Sequence, residues 1–310
     1  MSGESTANTD RIKPRIPLFA FIMSMVLPGY GQLYNGQVNK AIWLFLGFVW
    51  LTVPMVTIAA LYLPADLMVP ALLLGALSVM LLWLYAVVDA FAQARRQHAY
   101  VLKPWQNSSL YVLVLMLCAG VVLPFLTYYV RGNLVESFRV PSGSMEPTVM
   151  TGDMLFADKR YNRPGFQQAV ERGDIAIFIY PNDRTTYFIK RVIGLPGDHL
   201  QIRGTDIFIN GKTTKAMQTP VNGKSVQVTE TDGHHLWQVW WAEPRKALPQ
   251  TDIMIPPGYI FTMGDNRTAS NDSRFFGVVP LQDVVGKARQ VWFSLRGNDI
   301  RWERMGQILK

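Results

Sequence analysis

Three long apolar segments dominate the first 130 residues of this 310-residue chain and constrain what it can fold into. They cover residues 41–63, 67–91 and 110–130. Each holds about 20 or more mostly apolar residues, the length that an α-helix needs to cross ~30 Å of hydrocarbon. A further apolar run at residues 16–28 is too short to cross and predicts an interfacial or re-entrant helix. We therefore expect an α-helical membrane region over residues 16–130, after a disordered cytoplasmic tail at residues 1–15.

Basic residues predict how the apolar segments are oriented in the membrane. They cluster before the first apolar run and between the second and third spans: Arg11, Lys13, Arg15, Arg95, Arg96 and Lys103. Loops rich in Lys and Arg stay in the cytoplasm, so the third span is expected to run outward. The sequence thus predicts a multi-pass protein of the cytoplasmic (inner) membrane whose residues 131–310 lie on the periplasmic face. Asp89, near the cytoplasmic end of the second span, fits an interfacial position.

The charged and metal-binding residue types exclude several function classes. The net charge is +8, but Lys and Arg in the second half are interspersed with Asp and Glu, which disfavours nucleic-acid binding. The single cysteine, Cys118, lies in an apolar segment, so no intrachain disulfide forms. The four histidines show no metal-ligand spacing: His98, His199, His234 and His235. We expect no nucleic-acid partner, no metal and no cofactor, and the sequence leaves the oligomeric state open.

After Arg131 the composition changes to short β-branched and aromatic runs separated by Gly, Pro, Asn and Asp. The runs that read as strands are residues 154–157, 175–180, 186–193, 200–209, 225–229, 236–241, 259–263 and 287–293. The dipeptides Asn210-Gly211 and Asn222-Gly223 are typical of tight hairpin turns. No long helix and no repeat is indicated. Residues 131–310 are therefore predicted to form an all-β domain with two sheets or an open barrel.

Two segments of this domain carry residues suited to nucleophilic chemistry. Pro141 and Pro147 stiffen the loop that holds Ser144, and Gly143 admits backbone conformations closed to other residues. On its own, such a loop is more often a structural turn. Strand alternation places Lys190 between apolar neighbours, where desolvation lowers a lysine pKa. A general base must be neutral, which requires a drop of about three pH units from ~10.4. The alternative is a lysine whose stem covers the sheet while its amine reaches water.

A third segment, residues 264–277, is dense in short polar side chains that can hydrogen-bond to the backbone and fix a loop. Asp272 and Arg274 could pair their charges there. A solvated surface loop is the alternative interpretation.

Four motifs in sequence order resemble the bacterial signal peptidase I family. They are P-S-G-S-M-x-P-T from Pro141, R-G-D-I from Arg172, F-I-K-R-V-I-G-L-P-G-D from Phe188 and G-D-N-R-x-x-S-x-D-S-R-x-x-G from Gly264. The resemblance implies a signal-peptidase-like all-β catalytic domain on the outer face of the membrane. It also implies that the chain cuts signal peptides from exported preproteins with a serine–lysine dyad, Ser144 as nucleophile and Lys190 as general base.

The resemblance implies further site residues. The Ser142 hydroxyl and the Ser144 backbone N–H match an oxyanion hole, Ser270 matches the serine that orients the lysine, and Asp272 and Arg274 match supporting residues. Apolar positions that match a pocket for small side chains are Phe138, Val140, Met145, Val149, Leu155 and Ile189. The partners implied are signal-peptide-bearing preproteins and the lipid bilayer.

The chain departs from the commonest family pattern at three places, and two other functions stay open. Thr268-Ala269 stands where many members have Asp-Asn, and Glu146 occupies a variable position. The membrane region, with three spans and an interfacial helix, exceeds the usual one or two spans. An SOS-repressor-type autoprotease uses the same dyad on a similar fold, although the apolar spans argue against it. A non-catalytic, membrane-tethered β domain that binds partners is the other alternative.

Overall fold

The structure is a computed structural model, and it describes residues 12–162, 169–222, 225–242 and 248–309. Contacts divide the chain into two compact units. One contains Met1–Ala59 and Pro70–Val130, and the other contains Ala60–Val69 and Arg131–Lys310.

The first part of the described chain is helical. Its helices are α1 Pro17–Val26, α2 Tyr30–Tyr34, α3 Val38–Leu61, α4 Ala65–Arg96, α5 Ser108–Leu117 and α6 Leu123–Asn133. A π-helical turn at Cys118–Val122 joins α5 to α6. Among the described residues, three helical stretches are long and apolar enough to cross a membrane: Val38–Leu61, Asp66–Arg96 and Ser108–Asn133. With ten residues, α1 is only ~15 Å long, about half the ~30 Å of hydrocarbon in a bilayer.

The prediction that residues 1–15 are disordered is wrong for the last residues of that range. Residues 1–11 lie outside the described residues, but Ile12–Lys13 forms strand β1, which pairs with β2 at Tyr100–Val101. Arg15 is buried, with its guanidinium 4.4 Å from the ring centroids of both Tyr34 and Tyr100. Stacking between two aromatic faces holds this cation in place, and polar composition alone does not reveal that contact.

Asp89 pairs with residues of α2 and α3, and not with Arg95 or Arg96, the basic residues that follow it on α4. Its Oδ1 atom pairs with Lys40 Nζ of α3 at 2.7 Å, and its Oδ2 atom accepts a hydrogen bond from Gln32 Nε2 at 3.0 Å. Gln32 also donates to the Ala86 carbonyl at 2.7 Å. These bonds satisfy the polar groups where α2, α3 and α4 meet.

The second part of the described chain is β-rich. Its strands are β3 Val135–Arg139, β4 Asp153–Asp158, β5 Ile175–Ile179, β6 Tyr187–Gly194, β7 His199–Arg203, β8 Asp206–Ile209, β9 Lys212–Thr213, β10 Lys215–Asn222, β11 Ser225–Thr231, β12 Leu236–Ala242, β13 Thr251–Met254, β14 Tyr259–Met263, β15 Val279–Pro280, β16 Val284–Arg296 and β17 Asp299–Ile300. A single-turn helix, α7, covers Ser273–Phe276.

These strands form a curled antiparallel half-barrel and two smaller sheets. The main sheet has the order β15-β14-β6-β5-β16-β4-β3, with β17 paired to β16. The smaller sheets have the orders β13-β7-β8-β9 and β10-β11-β12. The prediction of an all-β domain of the open-barrel type after an α-helical membrane region is confirmed.

Turn residues account for one hairpin that was predicted correctly and for one predicted strand that is two strands in the structure. The Asn210-Gly211 turn joins β8 to β9 with φ values of 51° and 77°, as a two-residue hairpin requires. The predicted strand 200–209 is instead the hairpin of β7 and β8, because Gly204 turns the chain at a φ of 62°. In the other predicted hairpin, Asn222 ends β10 and Gly223 lies outside the described residues.

Candidate active site

Ser144 lies in the loop between β3 and β4, and hydrogen bonds from Asn266 hold this loop in place. The Asn266 backbone N–H donates to the Ser144 carbonyl at 3.1 Å, and its side-chain Nδ2 donates to the Gly143 carbonyl at 3.1 Å. Gly143 does not have a positive φ, so an unusual backbone conformation is not the reason for a glycine at this position. A Cβ there would instead lie 2.8 Å from Glu146 Oε1, so the glycine leaves room for that side chain.

Lys190 reaches the Ser144 hydroxyl from β6. Its Nζ atom lies 2.8 Å from Ser144 Oγ and donates to the Ile189 carbonyl at 3.1 Å. The residue is only 5% exposed, and the Phe188 ring centroid lies 5.1 Å from Nζ. The apolar strand therefore brings an amine to a hydroxyl and excludes most of the water around them.

Burial lowers the pKa of Lys190 from 10.5 to about 8. Desolvation is the main cause because it penalises the charged form, while the negative charges of Asp272 and Asp265 act in the opposite direction. The Phe188 ring face also favours the cation. Desolvation outweighs these effects, so a substantial fraction of this amine is neutral near pH 8.

Ser142 and Ser270, the two other predicted serines, differ in their surroundings. Ser142 is exposed, and its Oγ atom lies 3.4 Å from Ser144 Oγ at the mouth of the site. Ser270 is buried, and its hydroxyl has no hydrogen-bond partner among the described residues. The expected bond that orients Lys190 is not formed, because the hydrogen bonds of Lys190 Nζ go to Ser144 and to the Ile189 carbonyl.

Asp272 and Arg274 form a buried ion pair behind the site. Arg274 Nε lies 2.8 Å from Asp272 Oδ1, and Arg274 Nη2 lies 2.8 Å from Oδ2. Asp272 Oδ2 accepts a further hydrogen bond from the Gly264 backbone N–H at 3.0 Å. Arg274 Nη2 also donates to the Arg267 carbonyl at 2.5 Å. The pair fixes the segment that follows β14, so the solvated-loop interpretation does not apply to these two side chains.

Several buried charges near the site were not predicted. Arg191 and Asp265 form two hydrogen bonds, and Thr148 Oγ1 donates to Asp265 Oδ2 at 2.5 Å. Arg267 pairs with Glu230 of β11 through both ends of its guanidinium. Arg191, Asp265 and Arg267 lie within the quoted motifs, and their charges next to apolar strands could have indicated buried ion pairs. Glu230 lies outside those motifs, so nothing in the sequence indicated its role.

An apolar cleft of about 350 Å³ leads to Ser144 and Lys190. Four of the predicted pocket residues line it: Phe138, Val140, Met145 and Ile189. The prediction is wrong for Val149 and Leu155, which are fully buried in the hydrophobic core and do not line this cleft. Tyr187 and Ala269 line it as well, and the Tyr187 ring packs edge-on against Phe138 at 5.6 Å.

This arrangement can perform acyl transfer. A hydroxyl lies within hydrogen-bond distance of an amine of depressed pKa, which is how a serine is activated without a histidine. The apolar cleft beside it can bind apolar side chains of a ligand.

Comparisons with known proteins agree on one family. The family model described as "Signal peptidase, peptidase S26" matches residues 109–293, more than half of the chain. A signal peptidase I of Pseudomonas fluorescens is 35% identical over 196 residues, covering 55% of this chain and 69% of that protein. A signal peptidase I of Rickettsia prowazekii (strain Madrid E) is 33% identical over 200 residues, covering 54% of this chain and 75% of that protein.

One solved structure is also similar in part. A crystal structure of a signal peptidase I from Enterococcus faecalis V583 is 26% identical and covers 39% of this chain and 97% of its own. Its TM-score to this chain is 0.27.

Proposed function

The chain belongs to the signal peptidase family, peptidase S26, and from this premise we propose that Ser144 is its nucleophile and Lys190 its general base. Membership makes the chain a signal peptidase I-like peptidase whose substrates are exported preproteins. The observation that carries the proposal is the 2.8 Å contact between Lys190 Nζ and Ser144 Oγ.

In the proposed acylation step, the neutral amine of Lys190 takes the Ser144 proton while Oγ attacks the scissile carbonyl carbon. Negative charge develops on the carbonyl oxygen, and the Ser142 hydroxyl and the Ser144 backbone N–H would donate to it. The protonated Lys190 then gives its proton to the leaving amine of the mature protein. The signal peptide remains bound to Ser144 as an ester.

In the proposed deacylation step, Lys190 is neutral again and takes a proton from water. The resulting hydroxide adds to the ester carbonyl, and collapse of the intermediate expels Ser144 Oγ, which recovers the proton from Lys190. One amine therefore serves both half-reactions as base and then as acid. Its burial maintains the neutral form that each half-reaction begins with.

The cleft favours an extended substrate segment with small side chains. β3 is the last strand of the main sheet, and its residues Phe138 and Arg139 line the cleft opposite Tyr187 and Ile189 of β6. An edge strand offers unpaired backbone groups to an added strand. We infer that the residues before the cleavage site bind here, with an Ala-x-Ala pattern suited to the apolar walls.

Membrane attachment holds the substrate near the site. The family and the apolar helices make this a membrane-bound protein, and we propose an inner-membrane location with the β domain on the periplasmic face. The end of α3 is consistent with this orientation. The Ala60 and Leu61 carbonyls in the last turn of α3 accept hydrogen bonds from Gln290 and Arg289 of β16, each at 3.1 Å. With three alternating crossings, the end of the first span and the residues after the third span lie on the same side of the membrane, as these hydrogen bonds require.

Precursor cleavage by the detergent-solubilised full chain tests this function. A secretory precursor is incubated with the protein, and the new N-terminus is sequenced. We expect cleavage after a small residue, abolished by Ser144→Ala and by Lys190→Met. Lys212→Met, which removes an exposed lysine of β9, should cleave at the wild-type rate. Wild-type cleavage by either dyad variant, or self-cleavage without cleavage of the precursor, would contradict the proposal.

A further inference from the structure

Two neighbouring cavities lie in the helical unit. One is polar, has a volume of about 390 Å³ and is lined by Gly36, Gln37, Val38, Asn39, Lys40 and Lys103. The other is apolar and has a volume of about 290 Å³. Val38, at the start of α3, lines both cavities, so the polar space lies next to the apolar one.

The apolar cavity runs along the first turns of α3. Val38, Ile42 and Leu46 line it at helical spacing, and Val114 and Cys118 face it from the third span. The rise from Val38 to Leu46 is ~12 Å at 1.5 Å per residue. That length accommodates the first part of an extended acyl chain, and the lining is almost entirely hydrocarbon.

The polar cavity carries a net positive charge. Lys40 is neutralised by Asp89, which lies 2.7 Å from its amine. Lys103 is exposed and forms no ion pair with any carboxylate among the residues that the structure describes. Neighbouring cavities, one with an uncompensated cation and the other lined by hydrocarbon, fit an amphiphile with an anionic head.

We propose that the two cavities form one binding site for an anionic glycerophospholipid. The phosphate headgroup occupies the polar cavity beside Lys103 and Lys40, and part of one acyl chain occupies the slot beside Ile42. Basic pockets between membrane helices bind anionic headgroups in this way. A signal peptide is a poorer occupant, because its own basic segment would meet the same positive charge. The site depends on membrane embedding and does not depend on the peptidase mechanism.

Lipid retention by the full-length protein tests the site. The detergent-solubilised protein is titrated with phosphatidylglycerol or with phosphatidylcholine of the same chains, and bound lipid is counted by native mass spectrometry. Phosphatidylglycerol should bind at least fivefold more tightly. Lys103→Gln should weaken phosphatidylglycerol binding by about fivefold, since a basic residue near an anionic headgroup contributes ~1 kcal/mol. It should leave phosphatidylcholine binding unchanged.

Matched variants separate a defined site from general attraction. Ile42→Trp fills the apolar cavity and should weaken retention of phosphatidylglycerol. Ile58→Trp, on the same helix outside the cavity, should not. Lys212→Gln removes the same charge from the β domain and should have no effect. Elution volume and thermal midpoint show that each variant is folded. Equal retention of the two lipids, or a preference that survives Lys103→Gln or Ile42→Trp, would overturn the proposal.

Discussion

Arg191 and Asp265 form a buried, two-pronged ion pair, with Nε 2.8 Å from Oδ1 and Nη2 2.7 Å from Oδ2. Neither side chain is exposed to solvent. Arg191 directly follows Lys190 on β6, and Asp265 also accepts a hydrogen bond from Thr148 of the Ser144 loop. The pair therefore joins the strand that carries the amine to the loop that carries the hydroxyl.

Asp265→Asn should destabilise the protein strongly, because it leaves the Arg191 charge buried without its counter-ion. Breaking a buried pair in this way costs about 3–5 kcal/mol. Thermal unfolding of the purified chain measures the loss. Asp299→Asn, at an exposed position of β17, should change stability by less than ~0.5 kcal/mol. Equal stability of the two variants would show that the ion pair does not hold the domain together.

Gly264→Ala should impair catalysis by displacing the nucleophile. An added Cβ would lie 2.3 Å from the Ser144 carbonyl oxygen and 2.3 Å from Ser270 Oγ, so the Ser144 loop must move. A shift of ~1 Å at a reacting group can lower the rate by about a hundredfold. Precursor cleavage kinetics measure this. Gly132→Ala is the control, because its added Cβ meets nothing within 4 Å. Wild-type kinetics for Gly264→Ala would mean that this close contact does not position Ser144.

Ser270→Ala and Ser273→Ala should have opposite effects on stability. The Ser270 hydroxyl is buried without a partner among the described residues, so its removal should be neutral or stabilising. Ser273 Oγ accepts a hydrogen bond from the buried Thr262 backbone N–H at 3.0 Å. Its removal leaves that donor unsatisfied and should cost about 1–3 kcal/mol. Chemical or thermal unfolding compares them. Equal losses would indicate that Ser270 has a hydrogen-bond partner after all.

The sequence predicted those features that local patterns encode. Apolar length indicated the three candidate spans, and the open-barrel β domain followed from short runs separated by turns. The alternation around Lys190 left open a desolvated amine or an amine that reaches water, and the structure shows the amine buried with its pKa lowered. The resemblance of the quoted motifs to one family is confirmed by the match over residues 109–293.

Features that depend on long-range packing could not be read from the sequence. Val149 and Leu155 are apolar like the true cleft residues, and only the packing of the Ser144 loop and of β4 against the rest of the core buries them. Ser270 lies in the expected motif, but the positions of Ile189 and Ser144 decide where the lysine amine points. Arg15 is ordered by Tyr100, a residue 85 positions away in the chain.

At neutral pH the buried charge of Lys190 should lower the free energy of unfolding, and Lys190→Met should remove this destabilisation. Below about pH 8 the folded state holds a buried charged amine. Between about pH 8 and 10.5 the unfolded chain binds the proton that the folded chain has released, so wild-type stability rises with pH. Relative to Lys190→Met, the wild type should therefore gain up to about 3 kcal/mol between pH 7 and 10.5. Unfolding midpoints of both proteins at these pH values provide the comparison. A difference that does not change with pH would contradict a depressed lysine pKa.

The pH dependence of kcat/KM for precursor cleavage tests the central claim, that a neutral Lys190 activates Ser144. Only the neutral amine accepts the Ser144 proton, so kcat/KM should fall about tenfold for each pH unit below the Lys190 pKa of about 8. It should level off above that value until another group titrates. A rate that stays constant from about pH 6 to pH 8 would contradict the account.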